Sequence, residues 1–148
     1  MAIKDTKRKP YIEDNDENIF IGIDLPFRNS DGAQGYFAST STTIEAVKVN
    51  IKNLLQTHQG ERLMQPGLGL NLRDYLFEQF TPDVSFSIQN DIVNIFRRWL
   101  PFVQVKDIQV SMSESDLGLD KNLMNINITF NITQDPNTLE SVSLVIGE

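Results

Sequence analysis

The apolar pattern of this chain changes period once, and that change constrains the fold more than any other feature. From Thr42 to Trp99 apolar residues recur at helical spacing; from Val103 to Ile146 they fall on every second residue. Helices followed by strands, without alternation, exclude a doubly wound sheet. They predict an α+β domain: two to three helices packed on a small C-terminal antiparallel sheet.

The first helix starts near Thr42. Thr42 and Glu45 have capping-box spacing, and Ile44, Val47, Ile51, Leu54 and Leu55 share a face. It should stop near His58–Gly60. A second, shorter helix is expected from Asn71 as N-cap, carrying Leu72, Leu76 and Phe80. Thr81-Pro82 starts a third. Its apolar stripe is Val84, Ile88, Ile92, Ile95, Phe96 and Trp99, with Arg97 and Arg98 against the C-terminal dipole and Pro101 as the stop.

Among the strands, Val103 and Val105 lie in one phase, and Ile108, Val110 and Met112 in the other. A bulge near Lys106-Asp107 reconciles them. Ser111 to Lys121 reads as a polar turn. Met124, Ile126, Ile128, Phe130 and Ile132 alternate with polar residues; Gln134 to Asn137 reads as a turn; Val142, Leu144 and Ile146 make the last strand. The result is a three-stranded meander with at least one edge open to another chain's strand. Residues 1–18 are polar and aperiodic. Ile19 to Ile23 is a short apolar segment ended by Pro26 and Asn29–Gly32, and Gly35-Tyr36-Phe37 is a brief apolar patch. The chain divides into an extended arm, 1–41, and an α+β domain, 42–148.

With 148 residues, 40% of them hydrophobic, the chain can bury a core of its own. Its net charge of −7 argues against general nucleic-acid binding and against an anionic membrane surface. No apolar run approaches the roughly 20 residues of a membrane span, and no apolar stretch follows the basic N-terminus as in a secretory signal. Zero cysteines exclude disulfides and thiolate zinc sites, and fit assembly in a cytosol. No metal or cofactor is implied. Asn127-Ile128-Thr129 and Asn131-Ile132-Thr133 match a glycosylation sequon, but read as solvent-facing strand residues.

The segment between the long helices, "GERLMQPGLGLNLRDYLFEQFTP", concentrates the candidate chemistry. Gly67-Leu68-Gly69 lacks the lysine and hydroxyl that end a phosphate loop. Glu61, Asp74 and Glu78 could pair for glycoside hydrolysis, which needs two carboxylates roughly 5–10 Å apart. Arg62 and Arg73 sit next to Glu61 and Asp74, which favours ionised, paired carboxylates instead. His58, the one histidine, sits at a helix end, and no nucleophile elbow surrounds a serine. Trp99 reads as core or interface. The segment reads as a structural knot: Glu61 or Arg62 ties loop to helix, Pro66 and Gly69 set the turn, and Leu76, Phe77 and Phe80 pin it. A partner contact through Arg62 or Arg73 is the alternative.

The same segment resembles the signature of the gene-product-25-like baseplate wedge proteins of contractile-tailed phages, shared with a type VI secretion baseplate component. The matching positions are Gly60, Glu61, Arg62, Pro66, Gly69, Leu76, Phe77 and Glu78, and the order of elements matches over about 42–146. The resemblance implies a non-enzymatic structural subunit of the virion tail baseplate, assembled in the host cytoplasm. One face would bind the helical core bundle of the wedge. The C-terminal sheet, here Met124, Ile126, Ile128, Phe130 and Ile132 with Val142, Leu144 and Ile146, would resemble the strand-exchange domain of the tail sheath and template its assembly. Implied partners are other wedge proteins and the sheath, with tail tube or hub proteins as further ones. The family's Glu-Pro-Arg triplet after the long helix is Leu100-Pro101-Phe102 here. The core-bundle contact would therefore be apolar, or use Arg97, Arg98 or Lys106, beside Trp99. The family has also carried a lysozyme-like label, so a cell-wall glycoside hydrolase of the tail is the competing expectation.

Overall fold

Thr81 shows how locally the sequence writes its helices. Its extended backbone and side chain cap a helix, its Oγ1 accepting from the Val84 amide at 3.4 Å, while Pro82 takes the first helical position. A computed structural model describes residues 20–24, 38–79, 81–114 and 122–147. The arm 1–18, Pro26, Asn29–Gly32, Gly35–Phe37, Phe80 and 115–121 lie outside the described residues.

The chain divides into two compact units, Met1–Ala46 and Val47–Glu148. In the first, β1 (Gly22–Ile23) pairs antiparallel with β2 (Ser39–Thr40). Amide bonds from Ile21 to the Thr40 carbonyl and from Asp24 to the Ala38 carbonyl, both 2.9 Å, extend that pairing. Helix α1 (Thr43–Gln56) begins here, with Thr42 Oγ1 accepting from the Glu45 amide at 3.3 Å.

In the second unit, α1 buries Val47, Ile51, Leu54 and Leu55. Helix α2 (Pro82–Trp99) buries Ile88, Ile92, Ile95 and Phe96, and ends when the Leu100 amide reaches the Phe96 carbonyl at 2.8 Å. Each of these large side chains contributes about 1.5–3 kcal/mol on burial. The strands β3 (Val103–Glu114), β4 (Asn122–Ile132) and β5 (Asp135–Ile146) form an antiparallel meander with β4 in the middle. Met124, Ile126, Ile128, Phe130 and Ile132 of β4, and Val142, Leu144 and Ile146 of β5, are all buried, so this face belongs to the core. Gln89 of α2 donates to the Ile108 carbonyl of β3 at 3.0 Å, and Lys48 of α1 pairs with Glu140 of β5 at 2.7 Å. Both helices are thereby joined to the sheet.

The expected bulge is present: the β3–β4 register shifts between Val105 and Asp107, leaving Lys106 as the extra residue. Three expectations need correction. The turn expected at Gln134–Asn137 is instead Thr133-Gln134, because Ile132 pairs with Asp135 and Pro136 lies in the edge strand, where its missing amide costs no ladder bond. β3 runs to Glu114, into residues expected to turn, because a matched partner strand holds it. The short helix from Asn71 is only a 3-10 turn, Asp74–Phe77, with no side-chain cap.

Candidate functional site

The chain leaves α1 through a loop whose two ends are tied at one point. The Thr57 carbonyl accepts from the Leu70 amide at 2.9 Å. Gly69 makes this approach possible: its φ is +103°, and a Cβ there would lie 2.2 Å from the Thr57 oxygen. Further out, the Gly60 amide reaches the Pro66 carbonyl at 2.9 Å and closes a smaller loop, with Gly60 at φ +88°. Glu61 folds back, its Oε2 accepting from the His58 amide at 3.1 Å. Asn71 completes the knot. Its Oδ1 accepts from the Gln59 amide at 3.0 Å and also meets His58 Nδ1. Asn71 therefore ties the loop base, rather than capping a helix as expected. Leu72 and Leu76 are buried beneath it.

Tyr75 anchors the far side. Its hydroxyl donates to Asp91 of α2 at 2.8 Å. That hydrogen bond, then partial burial and the negative charge of Asp91, push the phenol up to about 12.

Glu61 makes a local bond within the loop, to the amide of His58 two residues past the end of α1, while Arg62 is exposed and, among the described residues, forms no ion pair with Glu61. Pro66 contributes its carbonyl to the loop closure, and Arg73 is exposed at the loop base. Phe77 was expected to pin the segment. It is 90% exposed instead, because the 3-10 turn places only Leu76 inward. Glu78 is exposed, and its amide closes the turn on the Tyr75 carbonyl at 3.2 Å. The amides of Leu68 and Leu70, on either side of Gly69, are engaged within the loop.

The residues after α2 make a second surface. Arg97 and Arg98 are exposed, Trp99 is half-buried, Leu100 is buried, and Pro101 and Phe102 are exposed. The Arg98 guanidinium lies 5.4 Å from the Trp99 ring centre and packs against Gly67 of the loop. The Phe102 carbonyl accepts from both the amide and hydroxyl of Thr133, at 2.9 and 3.0 Å, fixing this turn to the β4–β5 hairpin. A groove of about 360 Å³ between Phe96, Arg97, Pro101 and Val105 runs alongside.

The sheet supplies the third. β4 is paired on both sides, so its main chain cannot accept a further strand; the expectation that Met124–Ile132 is a template strand is corrected on that ground. β3 and β5 are the edges. β3 carries the bulge. β5 has Pro136 near its start and the Lys48–Glu140 pair midway, while Leu139 and Val145 project into solvent. Its end opens on a cavity of about 670 Å³ shared with His58, Glu61, Asn71 and Arg73. Sequence reasoning missed the exposed apolar pair at the loop tip, Leu63 and Met64. The available signal was that neither falls in a helical or strand phase.

A knotted loop, an arginine-bearing helix end and, among the described residues, a sheet with two edges are the surfaces this α+β domain presents. A family model described as "Baseplate wedge protein gp25" matches residues 41–137. The chain belongs to this family of baseplate wedge proteins. It is 24% identical over 109 residues to baseplate wedge protein gp25 of Enterobacteria phage T4, covering 74% of this chain and 79% of that one. Its fold is similar to a chain of the anti-feeding prophage baseplate, with TM-score 0.59, 24% identity, and 76% and 85% of the two chains covered. It is also similar to a Geobacter sulfurreducens protein named as a tail lysozyme, with TM-score 0.57, 22% identity, and 73% and 93% covered.

Proposed function

We propose that this protein is a structural subunit of a contractile-tail baseplate wedge that docks on the helical core of the wedge and starts sheath assembly by strand addition. Residues 42–148 form the wedge domain, and residues within 1–41 contact a neighbour. The helix-end surface from Arg97 to Phe102 makes the core contact. The edge of β5, from Ser141 to Ile146, receives the sheath strand. The observation that carries this reading is the outer side of β5, unpaired among the described residues, in a chain of this family. Main-chain hydrogen bonds would supply affinity, and side chains on alternate positions would set register.

Hydrogen exchange tests it without altering the chain. On adding purified sheath subunits, amides within 141–146 should become protected. Unchanged exchange in β5, with sheath demonstrably bound, would move the template to β3 or the arm.

The competing reading is a tail glycosidase, favoured by the name of the Geobacter neighbour. The Glu61 carboxylate is engaged by the His58 amide, which supports a structural use of that residue. Muropeptide release by the purified protein, abolished in Glu61→Gln, would favour the enzyme.

A further inference from the structure

The edge strand β5 is flanked by one side of α1, and that side carries its own pattern. Lys48 of α1 reaches Glu140 of β5 at 2.7 Å. Lys52 and Gln56 follow Lys48 at four-residue steps, so the three share one row of the helix. At the end of the row, Gln56 lines the cavity of about 670 Å³ that Val145, Ile146 and Gly147 also line. The row therefore runs beside β5 from Glu140 to the end of the strand. β4 occupies the other side of β5, so this flank of α1 looks past the edge that is unpaired among the described residues.

Of the two cations in the row, only Lys48 is engaged. Among the described residues, half-buried Lys52 forms no ion pair. Its stem covers apolar surface while its ammonium stands in water beside the strand edge. The cavity one turn further on differs in character. Leu55, Leu70 and Leu72 give it an apolar lining together with Ile146. The charges around it balance: Glu61 and Arg73 line it, and the exposed Arg62 and Asp74 adjoin them in the chain. His58, also on the lining, is held by Asn71 through Nδ1. Such a site takes a neutral apolar group in preference to a charged one.

We propose that this flank of α1 reads the sequence of the strand added to β5. An acidic residue of that strand sits opposite Lys52, and a large apolar residue two positions away fills the cavity. Side chains on one face of a strand recur about 6.7 Å apart, close to the rise of about 6 Å from Lys52 to Gln56. Main-chain bonds supply affinity without choosing a register or a partner; one charge and one pocket at matched spacing choose both. A second copy of this chain is the poorer occupant, because the same face of its β5 is already covered by its own α1. The inference rests on the strand-addition reading and specifies the sheath strand that reading requires.

The probe is the purified sheath subunit from the same tail, with its affinity and the amide protection of 141–146 both measured. Lys52→Glu should weaken binding roughly tenfold and flatten its salt dependence, while Lys52→Arg keeps both native-like. Replacing the facing acidic residue of the sheath strand by lysine should restore binding to the Lys52→Glu chain. Gln56→Trp, at an exposed helix end, fills the cavity and should weaken binding several-fold with the salt dependence unchanged. Melting temperatures are checked for each variant and are expected to match the native chain. Native-like binding by Lys52→Glu or by Gln56→Trp, with 141–146 still protected, overturns the paired recognition and leaves strand addition standing. A native chain whose 141–146 amides stay unprotected with sheath bound removes the strand-addition reading and this inference with it. Protection that grows with the concentration of the native chain alone makes a second copy the occupant and also overturns it.

Discussion

At the scale of single residues, Gly69 is the most constrained position in the loop. Any side chain there meets the Thr57 carbonyl at 2.2 Å and must also adopt φ +103°. Gly69→Ala should therefore cost about 2–4 kcal/mol in urea unfolding, the range for strain that the backbone cannot relieve. Gly67→Ala is the control. Its Cβ would meet the movable Arg98 guanidinium no closer than 3.6 Å, so its effect should stay within about 0.5 kcal/mol. Tyr75 gives a second residue-level test. Its folded-state value of about 12 lies above the ordinary 10, so the folded chain holds the phenol proton more tightly. The stabilisation is complete below pH 10 and is lost as pH rises toward 12. Tyr75→Phe should lower stability by about 1 kcal/mol at neutral pH, the typical worth of such a hydrogen bond. The gap between variant and native protein should close in melts taken between pH 10 and 12; a gap constant with pH would mean the Asp91 bond does not set the titration.

At the scale of elements, the long pieces were legible and the short ones were not. α2 was readable because capping, period and termination agree: Thr81, the Ile88–Ile92–Ile95–Phe96 stripe and the stop before Pro101 give one answer. Thr81→Ala should accordingly cost about 1 kcal/mol in thermal unfolding, mostly through the loss of the bond to the Val84 amide. β4 was legible for the same reason, with strict alternation over five apolar residues. Asn71 misled because cap preference is local, whereas its partners, His58 and Gln59, lie 13 and 12 residues upstream. Pro136 misled because a proline signals a turn, yet an edge strand tolerates it equally well. Of the candidate site, Glu61, Gly69 and the helix-end arginines could be read from motif and spacing. The exposure of Leu63, Met64 and Phe77 could not, because a side chain's burial in a loop depends on closure bonds that leave no periodic trace.

At the scale of the whole molecule, the outer side of β5, unpaired among the described residues, raises the question of what keeps a second copy from pairing with it. β5 carries two protections on the described chain: Pro136, which removes a donor, and Glu140, which places a charge at mid-strand and is held by Lys48 at 2.7 Å. The ion pair is half-exposed, so it contributes about 1 kcal/mol or less to stability. Its larger effect would be on what the edge accepts. A second copy docking antiparallel would bring two Glu140 charges near the same ladder, a repulsion that a differently charged partner strand avoids. Replacing both protections, Pro136→Val with Glu140→Val, should leave the fold intact and raise self-association, read as concentration-dependent sedimentation. Glu140→Val alone should give an intermediate effect that added salt does not suppress, since the repelling charge is gone. A double variant that stays monomeric at the concentrations where the native chain does would mean that the β5 edge is closed by something other than these two residues, and the strand-addition reading would then have to move to β3.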